Sequence, residues 1–357
     1  MKRVHSVAVI GAGDMGTHHV EGWLLAGHKV ASVCDIDAAR ARSLADRFQI
    51  PRVLERYEEA VSDPQVDIVS VCLPLALHAP VTLAAAAAGK HVFCEKPIAR
   101  SLAEVAQMEA AVQAADVQFA VGFQRNLAHA IGVLRQWVEE DRFGRPLVFN
   151  SDLLQEVRPK RFMHDAHGNM GPVVDACCHD FLMWQTVFRS APKSIYARGG
   201  VLAKDRQEIA HFKELAVDTA TIVIEYHSGD VGAMTVSWGL AAGTQLKGRP
   251  DRLVGPRGGA EGKANVSTDH LMLYEGNGEQ RVAIEKQPSL HAEEFALFAD
   301  ALDEGRPVVS GLDVGRQMLA VSLAVLESIR SGRVIEFDSY VRSLSADALS
   351  RQGTGGA

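Results

Sequence analysis

Along the first third of the chain, short apolar runs alternate with segments of helical period. VAVIG (Val7 to Gly11) precedes a helix-like stretch reaching Ala26, and KVASVCD ends at Asp35 before a helical pattern from Ala38 to Phe48. VDIVSVCLP, a helix over about Leu77 to Ala88, HVFCEKP, a helix over Leu102 to Ala115 and VQFAVGF continue the series. Strands without polar alternation, separated by helices, fit a parallel sheet covered on both faces, because alternation is needed only where one face meets water. The pattern predicts a doubly wound α/β domain over residues 1–124.

Beyond Gln124 the period changes. A helix from about Leu127 to Glu140 leads into strand-like alternation in PLVFNSDLL and later in TATIVIEYHSGDVGAMTVSW, where HSGD fits a hairpin turn. Strands that follow one another without helices predict an open, mostly antiparallel sheet and hence an α+β second domain over 125–337, whose last helices can return to the first domain. The Gly-, Arg- and Lys-rich stretch from Gly243 to Gly262 predicts a mobile loop, and residues 338–357 a tail ending in a frayed RQGTGGA.

A chain of 357 residues suits two domains. Its net charge of -7 supplies no basic field, which argues against nucleic acid and anionic membranes as partners. No run approaches the roughly 18 uncharged residues of a membrane span. In MKRVHSVAVIG the apolar run is short and ends in a glycine loop, so it predicts a strand and not a leader. Five cysteines at 34, 72, 94, 177 and 178 form no disulfide framework. Three lie in strand-like runs, as core thiols of a cytoplasmic protein would.

GAGDMG, Gly11 to Gly16 with Asp14 and Met15 inside it, matches G-x-G-x-x-G, follows the first strand and opens a helix. Asp35 ends the next strand 19 residues after Gly16. Gly11 would permit the tight turn, Gly13 the close approach of a pyrophosphate and Gly16 the packing of helix on strand, while the helix N-terminus holds negative charge. Asp35 can accept hydrogen bonds from ribose hydroxyls, and Ile36 offers no cation to a 2′-phosphate. NAD is therefore expected over NADP, with Arg40 keeping the phosphorylated form in view. Asp35 could instead cap the next helix, although Asp37 suits that role better.

Ligands of open α/β sheets bind beyond the carboxyl ends of the strands. Leu73-Pro74, Glu95-Lys96 and Gln124-Arg125-Asn126 all fall at such ends. A lysine there could stabilise the alkoxide character that develops as hydride leaves an alcohol.

With GAGDMG, VDIVSVCLPLALH, GKHVFCEKP and the later GPVVDACCHD, the chain resembles the Gfo/Idh/MocA family, the glucose-fructose oxidoreductase and inositol dehydrogenase group, almost continuously in the first domain and more loosely to about Phe337. The resemblance implies a catalytic-site lysine at Lys96, a cis peptide before Pro97, and a cofactor cleft lined by Leu73, Pro74, His78 and Glu95. It also points to Asp175 and His179, and to a homodimer or homotetramer built on the second domain. The D-x-x-x-H spacing would place the pair on one face if the segment is helical, with His179 as general base and Asp175 orienting it. A lysine of reference pKa roughly 10.4 is a poorer base near neutrality. The chain departs from the family pattern in three places: GNMGPVVD stands where a glycine-rich approach to the aspartate is common, so that Pro172 would start the helix, Leu73 stands where a threonine is frequent, and Leu182 where a second acid often follows the histidine.

His164, His167, Cys177, Cys178 and His179 invite a metal site, but adjacent cysteines are poor ligand geometry and no C-x-x-C is present. Arg158, Lys160 and Arg161 could meet an anionic substrate or form a solvated loop. The expected activity is an NAD-dependent dehydrogenase acting on a secondary alcohol of a sugar, cyclitol or related polyol. Its rivals are a dihydrodiol or semialdehyde dehydrogenase of aromatic catabolism, a glycosidase that oxidises its substrate transiently with bound NAD, and a non-catalytic nucleotide sensor.

Overall fold

In the computed structural model, which describes residues 3–352, the chain divides into two compact units, residues 1–124 with 289–317 and residues 125–288 with 318–357. The first unit begins with β1 (Ser6–Ile10), α1 (Asp14–Leu25), β2 (Lys29–Cys34), α2 (Ala38–Phe48), β3 (Arg52–Leu54) and α3 (Tyr57–Val61). β4 (Ile68–Val71), α4 (His78–Ala87), β5 (His91–Cys94), α5 (Leu102–Ala114) and β6 (Phe119–Val121) follow. All neighbours are parallel in the order β3-β2-β1-β4-β5-β6. This is a doubly wound Rossmann sheet whose order reverses between β1 and β4, the point where such sheets open a crevice. Every residue of β4 is buried, as expected for a strand covered on both faces.

The second unit holds α6 (His129–Glu139), β7 (Val148–Glu156), α7 (Gly171–Asp175), α8 (Cys178–Phe188), β8 (Pro192–Gly200), β9 (Thr219–Tyr226) and β10 (Val231–Leu240). β11 (Asp251–Gly255), β12 (Gly258–Gly262), β13 (His270–Glu275) and β14 (Gly278–Ala283) extend its main sheet. After them come α9 (Leu290–Glu304), α10 (Leu312–Ser331), β15 (Ile335–Glu336) and α11 (Phe337–Gln352). The sheet runs β14-β13-β12-β11-β7-β10-β9-β8-β15, antiparallel except between β7 and β10. The expected hairpin at HSGD is present: Gly229 takes φ +82 and the Tyr226 amide donates to Asp230 O.

The two faces of this sheet differ. Ala220, Ile222, Ile224 and Tyr226 of β9 are buried, and α8 lies so close to β10 that a Cβ on Gly232 would fall 2.2 Å from Trp184. The opposite face carries five exposed large apolar side chains: Val148, Val254 and Tyr274 share one cross-strand row, and the pair Val223 and Tyr196 lies two residues along from it.

α9 groups with the first unit because of its aromatics. Phe295 stacks on Trp23 of α1 at 4.4 Å between centroids and meets Phe93 of β5 edge-on at 4.8 Å. A Cβ on Gly22 would approach Phe295 to 2.7 Å, so glycine lets the two helices touch.

Two expectations are corrected. The stretch from Gly243 to Gly262 is not a loop throughout: from Asp251 it forms the hairpin β11–β12. Its glycines serve close pairing, since a Cβ on Gly259 would lie 2.4 Å from Leu253 O. The tail expected from residue 338 is instead helical to Gln352; the rest of the frayed end, 353–357, lies outside the described residues. No described helix is long and apolar enough to cross a membrane.

Candidate active site

The carboxyl ends of the first sheet carry most of the sequence-derived candidates. Gly11 takes φ +106, and a Cβ there would fall 2.4 Å from Cys72 O at the end of β4. A Cβ on Gly16 would lie 1.8 Å from Gly11 O, so this glycine brings α1 against the loop. Gly13 is different: it caps α1 with no side-chain hydrogen bond, and a Cβ on it would meet nothing within 4 Å. The loop thus keeps open space in front of a helix N-terminus, as a pyrophosphate requires. Exposed Asp14 and half-buried Met15 follow it in the first turn.

Asp35 closes the loop from the side. Its Oδ2 accepts from the Ala12 amide at 2.8 Å and its Oδ1 from the Asp37 amide at 2.9 Å. Asp37, not Asp35, is the N-cap of α2, accepting from the Arg40 amide. Ile36 projects outward with 92% of its surface exposed. These residues fit an adenosine ribose beside Asp35, whose carboxylate oxygens retain further acceptor capacity.

A second loop follows β4, where Leu73 and Pro74 enter a 3₁₀ turn over Leu75–Leu77. His78, buried at the start of α4, ties that loop to the next strand end: Nδ1 lies 2.7 Å from Pro97 O and Nε2 2.8 Å from Leu73 O. The Lys96–Pro97 peptide is cis. Gln124 begins a 3₁₀ turn after β6, and its Nε2 donates to His291 Nε2 at 3.2 Å.

Under Lys96 lies a polar chain that sequence reasoning missed. His19, which follows the glycine loop on α1 and belongs to no motif, is fully buried, with Nε2 2.9 Å from Glu95 Oε1 and Nδ1 2.8 Å from Ser70 Oγ. Trp23 Nε1 donates to the same hydroxyl at 2.9 Å, and the Lys96 amide donates to Glu95 Oε2 at 3.3 Å. Gly122 leaves room for the carboxylate, since a Cβ there would lie 2.8 Å from Glu95 Oε1. Burial would raise the Glu95 carboxyl, but the His19 hydrogen bond and the positive charge of His19, Lys96 and His291 outweigh it and hold the group below its ordinary range. Glu294 of α9 shows the reverse: burial, then the Glu95 charge, push its carboxyl well above the ordinary range. The single sequence signal for His19 was its spacing from Gly16, which puts it on the inner side of α1.

The second unit holds Asp175 and His179, both buried. They do not share one continuous helix. Asp175 ends α7 and His179 belongs to the first turn of α8. The His179 amide bonds back to Ala176 O, and both Ala176 and Cys177 amides turn to Pro172 O. Met170 at φ 61 and Gly171 at φ 74 set up this short helix, and Pro172 occupies its first turn as expected from GNMGPVVD. Asn169 Nδ2 donates to Asp175 Oδ1 at 3.1 Å, a positioning contact with no sequence motif behind it.

Asn126 accepts from Thr186 Oγ1 at 3.1 Å. Arg158 lies over Trp238 at 5.6 Å, and its amide donates to buried His164 Nε2. Arg125 is one of the cations that counter Asp180, the residue after His179. Among the described residues no group of three or more His, Cys, Asp or Glu side chains has the placement to hold a metal ion.

Comparison with known proteins identifies the family of both units. Residues 5–123 match the family profile "Oxidoreductase family, NAD-binding Rossmann fold", and residues 132–261 match the profile "GFO/IDH/MocA C-terminal domain". Myo-inositol 2-dehydrogenase of Thermotoga maritima is 27% identical over 94% of this chain and 99% of that protein. The scyllo-inositol 2-dehydrogenase (NAD(+)) of Bacillus subtilis is 25% identical over 93% of this chain and 96% of that one. Among solved structures, levoglucosan dehydrogenase in complex with NADH and levoglucosan aligns with a TM-score of 0.82 at 21% identity, covering 94% of this chain and 100% of that chain. At that identity the likeness speaks to the fold.

Proposed function

Since the chain belongs to the GFO/IDH/MocA family of NAD-binding oxidoreductases, we propose that it oxidises a secondary alcohol of a sugar, an inositol-like cyclitol or a related polyol. The observation that carries this reading is Lys96 at the carboxyl end of β5, on the crevice side of the Rossmann sheet, with its strand end fixed by the ionised Glu95. The names of relatives that act on inositols at full length point to the same substrate class.

Bound nicotinamide supplies the hydride acceptor. In this reading Lys96 offers a positive charge to the alcohol oxygen as it gains alkoxide character, which matters most where water is excluded. His179 takes the hydroxyl proton, a task suited to an imidazole, and Asp175, steadied by Asn169, orients it. Gln124, Arg125, Asn126 and Arg158 are candidates for the remaining substrate hydroxyls or acid groups. Leu73, Pro74, Glu95 and the His78 clamp shape the floor on which the cofactor would lie.

The exposed apolar side chains Val148, Tyr196, Val223, Val254 and Tyr274 support self-association through the open sheet face. Sedimentation of a Val223→Lys variant should then show a smaller assembly than the parent chain.

The deciding experiment is NADH formation by the purified protein with NAD against a panel of cyclitols, aldoses, sugar acids and dihydrodiols, with Lys96→Ala alongside. A signal lost in the variant supports the dehydrogenase and names the substrate class. Tightly retained NAD with no net reduction on any alcohol, but cleavage of glycosides, would replace it with transient oxidation and elimination.

A further inference from the structure

We propose that the Arg40–Asp37 ion pair limits the chain's acceptance of NADP: Arg40 is a 2′-phosphate ligand held out of use by Asp37. This rests on the adenosine end of the cofactor lying beside Asp35.

Arg40 stands in the first turn of α2, which follows β2, its guanidinium about half exposed at 55%. Its Nη2 lies 3.1 Å from Asp37 Oδ2 and its Nη1 3.6 Å from Asp35 Oδ2. Asp35 itself cannot move to meet a new ligand, because its two oxygens hold the Ala12 amide of the glycine loop and the Asp37 amide. Arg40 is the most exposed member of the trio and the one that can turn to a ligand.

Helix stability does not account for an arginine here. Arg40 is the third residue of α2, where a helix normally favours an acid that answers its N-terminal N–H groups, and α2 has no acid in its first turn. A cation at that point opposes the helix dipole. Nearby Arg56 is turned to Glu58 at 3.6 Å, and Arg47 lies over Phe48, so neither competes for the role.

The charges explain the preference for NAD. Asp35 and Asp37 against Arg40 leave one net negative charge facing the ribose, which hydroxyls tolerate and a phosphate of charge near -2 does not. Neutralising Asp37 brings that sum to zero and releases a planar donor fork of the geometry that phosphates favour. Asp35 would remain, so the change broadens acceptance without inverting it.

Serine is the informative replacement, since its hydroxyl can still cap α2 through the Arg40 amide. Binding of NAD and NADP to the purified chain is measured by calorimetry for the parent, Asp37→Ser, Arg40→Ala and the double variant, with melting curves to verify folding. Asp37→Ser should tighten NADP by about tenfold, the worth of one charge-assisted contact, while NAD stays within about twofold. The double variant should return NADP to the parental value, and raising the salt should erode the gain. Unchanged NADP affinity in Asp37→Ser, or a gain that persists in the double variant, would overturn the proposal while leaving NAD binding intact. A parent chain that binds neither dinucleotide would remove the cofactor reading and this proposal together.

Discussion

Glu95 in the first unit and Asp180 in the second are buried almost equally, 4% and 6% exposed, and they are driven in opposite directions. Glu95 receives His19 Nε2 and the Lys96 amide and lies among positive charges, which hold it ionised despite its burial. Asp180 receives Asn265 Nδ2 at 3.1 Å and sits near Asp251. Burial and that second acid push it up to about 7 against the pull of Arg125 and Lys263. Depth alone therefore does not set the charge of an acid. The donors aimed at it and the sign of its neighbours do. The protein keeps a fixed negative charge behind Lys96 and a titrating acid immediately after His179.

Four changes test this contrast, from the largest expected effect down. Lys96→Ala should lower kcat by about 10²–10³ if its charge stabilises the developing alkoxide; steady-state rates on the identified alcohol decide, and a loss confined to KM would break the assignment. His19→Leu leaves a buried carboxylate without its main donor and should cost about 3–5 kcal/mol in urea unfolding at pH 7. Because Glu95 titrates lower when folded, its contribution is present above its unfolded pKa and fades as pH falls through the folded one. The acid side of the stability curve should therefore flatten in this variant.

Asp180→Asn should act in the opposite sense. The folded chain keeps a proton up to about 7 that the unfolded chain releases from its ordinary value of 3.8, so parental stability declines as pH rises across that window. The amide removes this decline and should stabilise the protein by on the order of 2–4 kcal/mol at pH 8 relative to its effect at pH 4. Parallel pH–Tm curves for parent and variant would show that Asp180 is ionised like Glu95. The smallest effect is a control away from both acids: Gly13→Ala has open space for its methyl group and an ordinary φ of -78. It should change stability by about 1 kcal/mol or less yet weaken NAD binding measurably by calorimetry.

Much of the first unit was legible because its signals are local. The glycine loop, the apolar strands and the Glu95-Lys96-Pro97 ending each lie within a few residues, and one helix-strand alternation fixes the sheet. His19 was not legible because its partners lie 51 and 76 residues away, brought to it by strand order and not by spacing. Asp175 and His179 show the limit of periodicity: an i, i+4 spacing suggested one helix face, but Met170 and Gly171 start a short helix that ends at Asp175. The β11–β12 hairpin was missed because glycine was taken as flexibility where it permits two strands to approach. Asn169 and Glu294 had no motif at all, since a single polar side chain becomes informative only when its burial is known.

The return of residues 289–317 to the first unit also bears on how the protein is made. When Gln124 leaves the ribosome, Trp23 and Phe93 still lack Phe295, the ring that covers them. The chain between Gln124 and Ser289 must be synthesised first, a delay of about 10–30 s at bacterial-like elongation rates. The nucleotide-binding unit is begun first and finished late, so a nascent chain stalled before α9 presents an apolar surface to chaperones, and a fragment ending at Gln124 is expected to aggregate when expressed alone.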